Sequence, residues 1–199
     1  MRTSFSLCVF LALLSVPPAC FYPKNYGTHN VIKVDCLKLQ NKTIIPNVPN
    51  ISMRTSYCDD YKFNPTALGE AIIIFVERYS QTFEIEEKVL WSYLDGLEIE
   101  VSIFPRQVDA AYDSDGNLLT GKVPVSGLAL SDKKIWIEIK TSQIWSSSLI
   151  HELVHIVIWN KNMGIHGDPD HEGKHFSGWT EKHTNFIKIL NLDISDLEN

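Results

Sequence analysis

The chain is poor in cysteine and has no long apolar segment. Its 199 residues include only four cysteines, none in a C-x-x-C pair, so the cysteines are poor candidates for zinc ligands. No apolar run reaches the ~20 residues that a transmembrane helix requires. The net charge is −6 and no stripe of basic residues is present, which argues against a nucleic-acid partner.

The N-terminus has the pattern of an export signal. Arg2 precedes an apolar stretch over residues 5–16, which fits the hydrophobic region of a secretory signal peptide. We therefore expect residues 1–19 to be a signal peptide and the protein to be extracytoplasmic, either secreted or anchored to the cell envelope. Cys20 follows a small residue, so lipidation of its thiol and anchoring to the membrane is one alternative, and plain secretion is the other.

Export also bears on the other cysteines. If Cys20 carries a lipid, Cys36 and Cys58 are an even pair in the processed chain, and an oxidising compartment favours a disulfide between them. If Cys20 is not lipidated, one thiol is left over. A pair of free, buried cysteines is the alternative to the disulfide.

Composition divides the remaining chain into two parts. Residues 20–60 are polar, interrupted by prolines and without clear periodicity, which favours an extended N-terminal arm. Residues 61–199 carry helical and strand patterns, and this length suits one domain with its own core.

The patterns in the second part predict an α+β fold. Asn64 as a cap and Pro65 in the first turn predict a helix that ends near Tyr79. In a strand over residues 134–140, Ile135, Ile137 and Ile139 alternate with polar residues and Trp136. Further helices are expected over 86–94 and 180–192, further strands over 97–104 and 124–130, and a tight turn over 113–117. We expect a small mixed or antiparallel sheet packed on a buried helix, with further helices at both ends.

The most informative segment is His151-Glu152-Leu153-Val154-His155, which lies in an apolar run that predicts a helix. The helix is expected to begin after Thr141 or Ser142 and to end near residues 160–162, before Gly164. Residues four apart lie on nearly the same face of a helix, so both imidazoles can reach one metal ion. Burying two histidines and a glutamate without partners would cost several kcal/mol. A zinc ion would supply the missing partner.

A third metal ligand is expected downstream. His171 is favoured because fifteen residues separate it from His155, enough to finish the helix and return, and because Asp168 and Asp170 could orient its ring. His175 is the first alternative, while His166 lies too close to the end of the helix. Glu172 or Glu181 would instead make a site of two histidines and one glutamate.

These residues resemble those of the HExxH zinc metallopeptidases, the zincins. The resemblance implies a zincin-like fold, Zn²⁺ bound by His151 and His155, and Glu152 as the general base that activates a zinc-bound water. The chain differs from the metzincin branch, because Ile158 and Lys161 stand where that branch has glycine and histidine. It looks somewhat like the SprT-type branch, in which a later histidine precedes an aromatic-bearing terminal helix; His175-Phe176 and Trp179 fit that comparison.

The expected activity is therefore hydrolysis of a peptide or protein substrate. Tyr112, His175 and His183 are equal candidates to donate a hydrogen bond to the oxyanion, although His183 is better explained as a core histidine. Two other functions stay open: a catalytically silent metal-binding envelope protein, and a zinc amidase that acts on a non-protein amide.

Overall fold

The computed structural model describes residues 20–21, 42–56, 64–102, 106–112, 117–138, 146–169, 171 and 178–194. In chain order, the elements in these residues are β1 (Cys20–Phe21), β2 (Thr43–Ile44), β3 (Ser52–Ser56), α1 (Pro65–Phe83), α2 (Glu87–Leu94), β4 (Glu98–Ser102), β5 (Arg106–Tyr112), β6 (Leu118–Val125), β7 (Gly127–Ser131), β8 (Lys134–Glu138), α3 (Ser146–Lys161) and α4 (Glu181–Ile194).

The strands form two sheets. The larger has five strands in the order β2-β3-β4-β8-β7, with β3, β4 and β8 parallel and the outer strands β2 and β7 antiparallel to their neighbours. The smaller sheet is antiparallel in the order β1-β5-β6. The predicted α+β class with a small mixed sheet is therefore confirmed.

The five-stranded sheet has two different faces because side chains alternate along each strand. One face carries Ile99, Val101, Ile135 and Ile137, which belong to the main core together with the helices. The opposite face carries Trp136, which packs with residues of β5 and β6 in a second, smaller cluster. The predicted alternation of isoleucines with Trp136 and Glu138 is thus confirmed, while Ile139 and Lys140 lie outside the described residues.

The helices begin close to the predicted positions. The side chain of Asn64 accepts hydrogen bonds from the backbone N–H groups of Thr66 and Ala67, and α1 continues past the predicted end at Tyr79 to Phe83. It ends at Glu84, which adopts the left-handed conformation with φ 55°. No helix within the described ranges combines the length and the apolarity needed to cross a bilayer.

Some segments differ from the sequence-based expectations. Residues 42–56, expected within the N-terminal arm, contribute β2 and β3, and β3 pairs along its length with β4. The strand expected over 124–130 is divided at Ser126 between β6 and β7. The hairpin of β5 and β6, with Tyr112 opposite Leu118, flanks the predicted turn, of which residues 113–116 lie outside the described residues.

Candidate metal centre

The HExxH segment lies on α3, which is buried along most of its length. The exposed fractions of His151, Glu152 and His155 are 7%, 0% and 2%. Apolar neighbours on every side of the helix explain this burial, since the helix packs against the sheet and against α2 and α4. The helix ends at Lys161 and the chain turns at Gly164 with φ 75°, as predicted. The predicted caps Thr141 and Ser142 lie outside the described residues.

Three histidine rings converge beside this helix. The Nε2 atom of His155 lies 3.2 Å from Nε2 of His151 and 3.3 Å from Nε2 of His171. Ligand atoms from all three residues lie within 4.8 Å of one another, and all three residues are buried. With zinc–nitrogen bonds of about 2.05 Å, two nitrogens of a tetrahedral site are separated by about 3.3 Å. The three histidines can therefore hold one metal ion.

The loop after α3 places His171 in the cluster. Two of its residues, Asp168 and His171 itself, adopt the left-handed conformation. Asp168 has φ 55° and His171 has φ 52°, and the backbone N–H of His171 donates a hydrogen bond to the carbonyl of Asp168 at 3.2 Å. The Asp168 carboxylate accepts the backbone N–H of Trp179. Asp168 thus joins this loop to the start of α4, and Asp170 lies outside the described residues.

Hydrogen bonding defines the tautomer of His155. Its Nδ1–H donates to the carbonyl of Gly167 at 2.6 Å, which leaves the lone pair of Nε2 facing the other two imidazoles. Gly167 can lie close to the backbone of α3 because it has no side chain. A Cβ there would lie 2.9 Å from the His155 carbonyl oxygen. Outer hydrogen bonds of this kind orient metal-binding histidines.

His151 and His155 favour their neutral, metal-binding form. The pKa of His155 is lowered to about 3, chiefly by burial and then by the neighbouring His171, while the bond to Gly167 opposes the shift. Burial also lowers the pKa of His151 well below 6.5, with smaller contributions from His155 and His171. Neutral imidazoles keep the lone pairs that metals require.

Glu152 is fully buried against β7. No donor among the described residues meets the geometry of a full hydrogen bond to either carboxylate oxygen. Burial raises the pKa of Glu152 well above 4.5, and a weaker backbone interaction with Ala129 opposes the rise without cancelling it. A Cβ at Gly127 would lie only 2.5 Å from Oε1 of Glu152. The absence of a side chain at Gly127 therefore makes the space that Glu152 occupies.

Trp179 adjoins all three histidines. Its indole centroid lies 5.1 Å from that of His151, 4.6 Å from His155 and 4.4 Å from His171. The sequence-based predictions did not place Trp179, Gly127 or Gly167 in contact with the site residues. A glycine in the strand before the motif and a tryptophan before the terminal helix were the available signals.

The other predicted candidates lie elsewhere. His166 does not join the cluster, and its Nδ1 accepts the backbone N–H of Asp168. Glu181 is exposed in the first turn of α4. His183 is a core histidine, as predicted, bonded to the Tyr79 hydroxyl at 3.0 Å and to the backbone N–H of Thr180 at 3.0 Å. Outside the described side chains lie those of Cys20, Cys36, Cys58, Tyr112, Glu172 and His175.

The donor set fits a borderline transition metal. Three imidazoles suit zinc, copper, iron and nickel, and within the described residues they supply three of the four ligands of a tetrahedral ion. Comparison of the chain with protein-family models, with curated proteins and with solved structures gives no match. The assignment of a function therefore depends on the site residues themselves.

Proposed function

We propose that the protein is a zinc-dependent hydrolase, a metallopeptidase of the zincin type. In this proposal His151, His155 and His171 bind Zn²⁺, and Glu152 is the general base. One observation supports it above the others: three buried imidazoles converge beside α3, and the position after His151 on this helix carries a buried carboxylate for which no hydrogen-bond partner is found among the described residues.

A purely structural metal site does not account for Glu152. Structural zinc sites have four protein ligands and are commonly rich in cysteine. Here the cluster contains three histidines, and an unpartnered carboxylate on the next residue of the same helix costs stability. When bound, zinc supplies a Lewis acid that lowers the pKa of a water toward about 7 and polarises a scissile carbonyl.

Glu152 has the properties of a group that both accepts and returns a proton. It takes the proton from the attacking water and later passes it to the leaving amine. Burial raises its pKa toward the working range of a general acid–base group, and no ion pair with a described residue holds it in the charged form. Its position against Gly127 restricts the carboxylate to one place beside β7.

The position of β7 supports a peptide substrate. β7 is the last strand in the order of the five-stranded sheet, and Gly127 of this strand contacts Glu152. A strand at a sheet edge can align an extended peptide through backbone hydrogen bonds. The strand that immediately precedes α3 in the chain, β8, lies between β4 and β7 and is not at the edge.

The cellular location follows from the N-terminal pattern. The predicted signal peptide over 1–19 and the alternative of lipidation at Cys20 place this hydrolase outside the cytoplasm. Such a location makes exported or cell-envelope proteins its accessible substrates.

The decisive test measures metal content and cleavage on the same preparation. The full chain is expressed with export, purified without chelator, and assayed for bound transition metal and for hydrolysis of a broad peptide library. We expect one zinc ion per chain and cleavage that Glu152→Gln lowers by at least about 100-fold without loss of zinc. Glu100→Gln is the matched control, since this carboxylate lies in ion pairs on the other face of the sheet.

Other outcomes separate the alternatives. Stoichiometric zinc without cleavage of any peptide would favour the silent metal-binding protein. Zinc with hydrolysis of only non-protein amides would favour the amidase. A protein that neither contains nor binds a transition metal would contradict the proposal as a whole.

A further inference from the structure

We propose that Trp179 is a positioning residue that sets the geometry of the three histidines and raises their affinity for metal. This inference rests on the proposed metal site and extends it to a residue that is not itself a ligand. Trp179 is 3% exposed, and its ring lies within 5.1 Å of each of the three imidazole rings, measured between centroids.

Hydrogen bonds hold both the indole and the backbone of Trp179 in place. Its Nε1–H donates a hydrogen bond to Oγ1 of Thr184 at 3.0 Å, one turn into α4. Its backbone N–H donates to the carboxylate of Asp168, in the loop that carries His171. Next to it, the backbone N–H of Thr180 bonds to the ring of His183. The indole therefore has a fixed orientation, and the three imidazoles pack against it.

The contacts with the rings are tilted, and each has a defined orientation. The interplanar angles between the indole and the rings of His151, His155 and His171 are 46°, 34° and 42°. A fixed indole restricts the rotation of all three imidazole rings. Less conformational entropy is therefore lost when the histidines bind an ion. Coordination also draws electron density from an imidazole, and the face of an indole stabilises nearby positive charge.

The test compares metal binding by variants of two buried tryptophans. Zn²⁺ affinity is measured by competition with a chromogenic chelator, the site geometry by the visible absorption of the Co²⁺ form, and stability by thermal unfolding. Trp179→Phe and Trp179→Leu are compared with Trp136→Phe, in which a fully buried indole is lost from the cluster on the opposite face of the sheet. Thr184→Val keeps the indole and removes only its hydrogen bond.

We expect Trp179→Leu to weaken Zn²⁺ binding by about 10-fold to 100-fold, the usual effect of losing an outer partner of a metal site. Trp179→Phe and Thr184→Val should weaken it less, and all three should alter the Co²⁺ spectrum. Trp136→Phe should lower the melting temperature and leave both metal readouts unchanged. A role limited to filling the core would predict similar losses of stability at both tryptophans and no change in the spectrum.

Failure of this inference differs from failure of the proposed function. If the parent protein binds zinc and Trp179→Leu does so with the same affinity and the same Co²⁺ spectrum, the positioning role is overturned and the metal site stands. If Trp179→Leu does not fold, Trp179→Phe and Thr184→Val decide by the same criteria. If the parent protein binds neither ion, both proposals are wrong.

Discussion

Carboxylates on the two sides of the five-stranded sheet differ in whether cations pair with them. On the face away from α3, Glu100 lies 3.0 Å from Arg106 and also pairs with Lys134, while Glu98 lies 3.5 Å from Lys134 and 3.3 Å from Arg54. On the face toward α3, Glu152 is fully buried and has no hydrogen-bond partner among the described residues. Burial alone does not distinguish the two sides, since the side chain of Glu100 is only 5% exposed.

The difference is consistent with the role proposed for Glu152. Cations and hydrogen bonds offset the cost of burying Glu100, so the charge on this side contributes to the fold. Nothing comparable offsets the burial of Glu152 in the described structure, so this side chain lowers stability. A residue that lowers stability at the centre of a domain requires another explanation, and the neighbouring histidines provide one.

The histidines show the same contrast. Both ring nitrogens of His183 have protein partners, in Tyr79 and Thr180, as expected of a core residue. In the cluster, the Nε2 atoms of three rings face one another instead. Because neutral imidazole nitrogens gain little from such proximity by themselves, the arrangement is best explained by an ion that all three share.

The largest expected effect comes from removing a histidine of the cluster. We predict that His155→Ala lowers Zn²⁺ affinity by more than the roughly 100-fold that loss of an outer partner costs, because it removes both a ligand and the contact with Gly167. His166→Ala, just outside the cluster, should bind zinc like the parent protein. Chelator competition measures the Zn²⁺ affinity of both variants. Equal losses of affinity would mean that His155 does not differ from a histidine outside the cluster.

The next prediction is that removing one buried carboxylate raises the free energy of unfolding, whereas removing the other lowers it. In the metal-free protein, Glu152→Met should raise the free energy of unfolding by on the order of 3 kcal/mol, because it replaces a buried unpartnered carboxyl with an apolar side chain. Glu100→Met should lower it by about 1–3 kcal/mol, because Arg106 and Lys134 lose their partner. Urea unfolding in the presence of chelator measures both.

The gain from Glu152→Met should also depend on pH. Burial raises the pKa of Glu152 in the folded protein above its ordinary value of 4.5, so the folded state binds more protons between 4.5 and the raised pKa. The charge-dependent part of the cost of Glu152 therefore grows as pH rises from 4.5 through that interval, and at lower pH only the cost of burying the neutral carboxyl is left. A gain that stays constant down to pH 4 would contradict the cause given for it.

The sequence was sufficient where structure follows local rules. The start of α1 follows from the Asn64 cap and Pro65, and the alternation in β8 follows from the two-residue period of a strand. The convergence of His151 and His155 follows from helical geometry alone. His171 was favoured because the loop is long enough to return, and the structure places it in the cluster.

Other features depend on contacts between distant segments. The segment Ser52–Ser56 shows no strong strand pattern, and it joins the sheet because β4 offers a parallel partner. Gly127 meets Glu152 from a strand 25 positions earlier, a proximity that no local pattern encodes. Trp179 likewise reaches the histidines only because Asp168 ties its backbone to the preceding loop. Such contacts arise from tertiary packing, which overrides local preference.

A double-mutant cycle tests the contact between β7 and Glu152. Gly127→Ala should lower the free energy of unfolding by about 1–3 kcal/mol, because the new methyl group overlaps the carboxylate. In a Glu152→Ala background the same change should cost almost nothing, because the space has been vacated. Additive effects of the two substitutions would show that Gly127 does not restrict Glu152.

The smallest predicted effect concerns His183, the core histidine of the comparison. Burial lowers its pKa to about 4, compared with 6.5 in the unfolded chain, and Lys161 adds to the shift. The unfolded chain therefore takes up a proton first as pH falls below 6.5, and stability is lost until pH approaches 4. We expect the parent protein to lose about 1–2 kcal/mol more than His183→Gln between pH 7.5 and pH 5, with chelator present. The cluster histidines are present in both proteins, although His183→Gln removes the contribution of His183 to the lowered pKa of His155. Identical pH profiles would mean that His183 is protonated in the folded state, and the contrast between core and cluster histidines would then be wrong.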